Sequence, residues 1–121
     1  MTAPSPDYAA YVVEQLAPID GVASGRFFGG IALSAGDLQF AMMMGNTLYF
    51  AVNDATRPKY QAMGSACFAY NTKKGRVEVK RYQAVPADVL EDPALLVSLA
   101  REAIEVARTL KKSGVKKRAR V

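Results

Sequence analysis

Residues 26–52 read RFFGGIALSAGDLQFAMMMGNTLYFAV, and this stretch decides the fold. From Arg26 onward apolar residues recur every second position, the period of a half-buried strand. The spacing predicts strands over 26–34, 37–44 and 47–52. Ala35-Gly36 and Gly45-Asn46 are the expected turns, and Gly-Asn is a recognised two-residue hairpin signal. Connections this short join antiparallel neighbours only. Alternation points Leu38, Phe40, Met42 and Met44 to one face, with Leu48, Phe50 and Val52 beside them. Met43 then falls on the opposite face with Ala41, Tyr49, Ala51 and Ala69. That face is apolar for a solvated surface, so a helix or a second copy of the chain, as a homodimer, is expected to cover it.

Helical periodicity flanks the meander on both sides. In SPDYAAYVVEQLAP, Ser5 can cap a helix, Pro6 suits its first position and Pro18 stops it. Ala9, Val12, Val13 and Leu16 share its apolar face. The next residues, DGVASG, read as a loop. After the meander, NDATRPKYQAMG reads as a short helix, capped by Asp54 or Thr56 and ended at Gly64. Residues 66–71 and 76–83 form a second hairpin around TKKG, with Phe68, Tyr70, Val77 and Val79 as its core. Asp92 and Pro93 open the last helix, whose stripe is Leu96, Leu99, Ala100, Ala103, Ala107 and Leu110. The fold class is therefore α+β: a five-stranded, mainly antiparallel sheet with flanking helices, ordered α-β-β-β-α-β-β-α. Residues 1–112 form one domain, and 113–121 are expected to be a disordered basic tail.

Charge is concentrated at one end. The net charge is +5 over 121 residues, yet Lys111, Lys112, Lys116, Lys117, Arg118 and Arg120 supply six cations with no acid among them. Without those six, the rest of the chain holds 10 basic and 11 acidic residues, a net charge of −1. Two readings of the tail stand side by side: a solvated end, or weak and non-specific nucleic-acid contact through phosphates. It has no aromatic residue on which bases could stack.

Catalytic options are few. The chain has no histidine and one cysteine, which excludes Cys–His and Ser–His–Asp machinery and the usual zinc sites. Cys67 reads as a buried, inert strand thiol. Asp88, Glu91 and Asp92 cluster where a helix begins, so capping accounts for them. No cofactor or metal site is expected, and no enzyme. The N-terminus lacks the basic and apolar regions of a signal peptide, and no apolar run could span a membrane, so a cytoplasmic setting is expected. RFFGG itself could be an anion loop, but phosphate-binding glycines open helices and these lead into a strand. The segment reads as structural: an aromatic anchor, with Gly29-Gly30 allowing a bulge or a close backbone approach.

The assembled residues resemble the N-terminal domain of the TfoX/Sxy competence regulators. Arg26, Phe27, Phe28, Gly29 and Gly30 match its opening, and Phe40 its hairpin. Leu48 and Tyr49 match a Leu-Tyr pair, and Asp54, Thr56 and Arg57 a helix start. Gly64, Phe68, Tyr70, Tyr82, Val85, Pro86, Leu90 and Asp92 follow in order, so the similarity covers about residues 8–110. Ala51 stands where that family often has lysine. The resemblance implies a non-enzymatic regulatory domain that acts through protein contacts. Its candidate interaction surface is Arg26, Met43 and Tyr49, with the tail as candidate nucleic-acid contact. The alternative is a small-molecule-binding protein or minor enzyme with a pocket near Arg26 and Tyr49.

Overall fold

The computed structural model describes residues 3–119, with side chains as far as Lys111. The elements in order are α1 (Pro6–Gln15), β1 (Val22–Phe27), β2 (Gly30–Ala35), β3 (Leu38–Met44), β4 (Thr47–Ala51), α2 (Arg57–Ala62), β5 (Cys67–Thr72), β6 (Gly75–Ala84), α3 (Ala87–Leu90) and α4 (Pro93–Ala119). The six strands form one antiparallel sheet in the order β1-β2-β3-β4-β6-β5.

The sheet thus has six strands rather than five. The residues read as a loop, with Arg26 and Phe27 from the head of the expected first strand, form β1, which pairs along its whole length with β2. Its sequence VASGRF hides it, because an edge strand of small, mostly exposed residues shows no apolar alternation. RFFGG is the hairpin turn between β1 and β2. Phe28 and Gly29 both have positive φ, 46° and 83°, as a type I′ connection requires. Glycine takes that backbone freely; a bulky L-residue takes it at a cost of about 1 kcal/mol.

A second difference lies within β3. The β2–β3 register slips between Leu33 and Ser34, so Leu33 faces Ala41 while Ser34 faces Gln39. Phe40 is the extra residue of this bulge, and past it the alternation is inverted. Ile31 pairs with Met43 and Met43 with Leu48; Leu33 pairs with Ala41 and Ala41 with Phe50. These six residues share one face, and all but Ile31 are fully buried. Met42 and Met44 lie on the other face, opposite Tyr49 and Thr47. The expected assignment of the methionines to the two faces is reversed, although Met42 and Met44 are buried as expected and Met43 is buried with them.

Helix α4 packs on β3 and β4. Leu96, Leu99, Ala100, Ala103 and Ala107 are buried as its periodicity predicts, while Leu110 is exposed. The Phe40 and Phe50 rings lie 6.2 Å apart in this core. Ser5 caps α1 by accepting from the Tyr8 N–H at 3.2 Å, and Asp92 caps α4 by accepting from the Leu95 N–H at 3.3 Å. Thr56 precedes α2, but its hydroxyl accepts from the Asn53 N–H at 3.0 Å, leaving Asn53 Oδ1 to hold the Ala55 and Thr56 amides. Helix α4 is assigned as far as Ala119, past the Gly114 at which the sequence ends it. Lysine, arginine and alanine are good helix formers, and a single glycine need not stop them. The side chains of 112–121 lie outside the described residues, and so do the tail contacts expected of Lys112, Lys116, Lys117, Arg118 and Arg120.

Candidate functional site

The face of the sheet that carries Met42 and Met44 encloses a groove of about 440 Å³. Phe27, Phe28, Met42, Met44, Phe68, Tyr70, Val79, Arg81 and Tyr82 line it, and among the described residues no helix residue does. Phe27 comes from one edge strand of the sheet and Phe68 from the other. In a flat six-stranded sheet those edges would stand about 24 Å apart. Meeting at one groove requires the sheet to curl around it.

Each lining residue has a local cause. The bulge at Phe40 turns Met42 and Met44 into the groove. The hairpin turn carries Phe28 to its rim, where the side chain is 74% exposed. The Phe27 and Phe28 rings meet edge to face, with centroids 4.7 Å apart. On the far wall Phe68 contacts Tyr49 edge to face at 5.2 Å. Phe68 pairs with Val79 and Tyr70 with Val77; Phe68 is buried in the core as expected, Tyr70 and Val79 pack against it and line the groove with it, and Val77 is exposed instead. Among the described residues Arg81 is the one charged lining residue, and its guanidinium carbon sits 5.9 Å from the centroid of the Tyr82 ring. Tyr82 is nearly buried, and its hydroxyl accepts from Gln39 Nε2 at 3.1 Å.

An adjoining depression shares Phe27, Arg81 and Tyr82 and continues past Asp37 to Ala107, Leu110 and Lys111 at α4. Lys111 pairs with Asp37 there, and this contact holds the Asp37 carboxyl below its ordinary range. The hydroxyls of Tyr8, Tyr49, Tyr60 and Tyr82 are all pushed up, in each case mainly by burial.

The structure does not unite the candidate surface Arg26, Met43 and Tyr49. Arg26 pairs with Ile31, Ile31 with Met43 and Met43 with Leu48, so Arg26 and Met43 share one face while Tyr49 points from the other. Met43 is fully buried and cannot contact a partner. Tyr49 lines a shallow depression with Met44, Phe68 and Tyr70 next to the groove. Arg26 lines neither of these two. Arg81, Phe28 and Tyr82 went unnoticed as a group because the two ends of the sheet meet only after it curls. Phe28 alone carried a signal, an aromatic before a glycine in a turn.

Cys67 is half-buried rather than buried, with Sγ 3.8 Å from Glu78 Oε2. Among the described residues no three His, Cys, Asp or Glu side chains converge as metal ligands. Among them, too, no helix is long and apolar enough to cross a membrane.

The TfoX N-terminal domain family model matches residues 14–107. The chain belongs to that family. The match runs from the end of α1 through most of α4 and takes in all six strands, so the bulge, the curl and the groove lie within the TfoX N-terminal domain. No curated protein matches the chain.

Proposed function

We propose that this TfoX N-terminal domain is a small, non-enzymatic, cytoplasmic regulatory domain that acts through contacts with another protein. The contact surface is the β1–β2 tip and the mouth of the groove. The observation that carries this reading is Phe28. Its large apolar ring is 74% exposed while its backbone holds a left-handed φ of 46°. Such strain persists where the surrounding structure enforces it and is concentrated at binding sites. Exposed aromatics beside a pocket are the usual anchors of protein interfaces.

A photo-crosslinking residue placed at position 28 in living cells tests this. The expected result is one recurrent protein adduct, absent when the crosslinker replaces Glu105, which is exposed on α4. An adduct with a second copy of the chain would make the contact a homodimer. Equal labelling at both positions, or none, would refute the reading.

The tail supports a second contact, to nucleic acid. Lys111 is engaged by Asp37, which leaves five cations in 112–121. Full engagement of five gives a log–log salt slope of roughly −4.5 on duplex DNA. Deleting residues 113–121 is expected to abolish DNA retention at low salt with an unchanged circular dichroism spectrum. Retention that survives the deletion would remove the tail from consideration.

A further inference from the structure

We propose that the groove binds a small organic acid: an apolar body of roughly eight to ten carbons bearing one carboxylate, with the carboxylate on Arg81. This goes beyond the protein-contact reading and does not depend on it.

The size fits first. About 440 Å³ of open volume lies within the range of small-molecule sites. The chemistry narrows the ligand. Eight of the nine lining side chains are aromatic or aliphatic, and the ninth is Arg81. Such a lining accepts an apolar body and offers one charged anchor. Among the described residues the Arg81 guanidinium has neither an acidic partner nor a hydrogen-bond acceptor. Its position by the Tyr82 ring keeps it at the groove wall. Guanidinium matches carboxylate geometry with two parallel N–H donors.

Tyr82 adds a second donor. Its hydroxyl accepts from Gln39, which lines the adjoining depression, and keeps its own proton uncommitted. The remaining charges near the site do not oppose an anion. Asp37, the acid in the adjoining depression, is already paired with Lys111. Lys80 and Glu78 line a separate depression on the other face of β6, with Arg57 and Gln83, so the charge facing the groove is that of Arg81. Phe28 stands at the rim, where its ring can cover an apolar body lying on Phe27 and Met44.

The test is a titration of the full chain with octanoate and, separately, octan-1-ol, read by isothermal calorimetry and by amide and methyl NMR shifts. No partner protein is present, so the outcome is independent of whether position 28 crosslinks in cells. Octanoate is expected to bind at least tenfold more tightly than the alcohol, with shifts at the Met42 and Met44 methyls and around Phe28. Arg81→Met keeps the aliphatic stem and is expected to bring the two affinities together. Tyr82→Phe is expected to weaken octanoate several-fold and leave octanol unchanged. Circular dichroism confirms that each variant is folded. Equal binding of the two compounds, binding unaltered by Arg81→Met, shifts confined to other surfaces, or no binding of either at millimolar concentration would each overturn the proposal.

Discussion

Replacing Gly30 by alanine is expected to destabilise the protein by about 3 kcal/mol or more. The reason is contact, not turn conformation, since Gly30 is the first residue of β2 and its φ is not positive. A Cβ built there would run into the Met43 carbonyl oxygen and lie 2.5 Å from Met44 Sδ. The sulfur belongs to a flexible side chain and can move into the groove. The carbonyl belongs to the neighbouring strand and can move only if β2 and β3 separate. The strand ladder, the bulge and the groove wall would all shift with it. Gly25 is the control. It lies in β1 with nothing within 4 Å of its would-be Cβ, so Gly25→Ala is expected to change stability by less than about 1 kcal/mol. Urea melts of the two variants compare them directly. If Gly30→Ala melts with the parent, the close approach of β2 to β3 is wrong.

Gly30 also shows what the sequence could and could not reveal. RFFGG is legible as a structural segment, and its glycines do serve backbone geometry. Their separate jobs are not legible: Gly29 takes a left-handed turn position, while Gly30 admits a carbonyl from the next strand. Local signals were reliable where the cause is local. Ser5 before Pro6, Asp92 before Pro93, Gly45-Asn46 and the α4 stripe from Leu96 to Ala107 all act over a few residues, and the structure places them as read. The failures have non-local causes. β1 is held by pairing with β2, so its small side chains leave no periodic trace. The bulge at Phe40 is a property of two strands, and a single extra residue inverts every side chain beyond it. The groove is further removed still, because it needs both edges of the sheet to approach. The family resemblance was legible since it rests on residue order, which no bulge disturbs.

The bulge yields the sharpest prediction, because it exchanges the faces of adjacent buried methionines: Met43 faces the helix-covered core and Met44 the groove. Met43→Lys is expected to leave the domain largely unfolded, with a loss of about 4 kcal/mol or more. Met43 is fully buried between Ile31 and Leu48 on the face against which the core packs. A lysine there has no acid within that row and no route for its ammonium to water. Met44→Lys is expected to cost far less, about 1–2 kcal/mol. Met44 borders both the groove and the shallow depression beside Tyr49, so a lysine stem can lie on Phe68 while its charge reaches solvent. Simple alternation from Leu38 predicts the opposite order, with Met44 inside and Met43 outside. Thermal melts of the two single variants therefore decide whether the extra residue at Phe40 is present in solution. A protein that tolerates lysine at 43 but not at 44 would have a regular β3, with Met42 and Met44 in the core and no groove between Phe28 and Phe68.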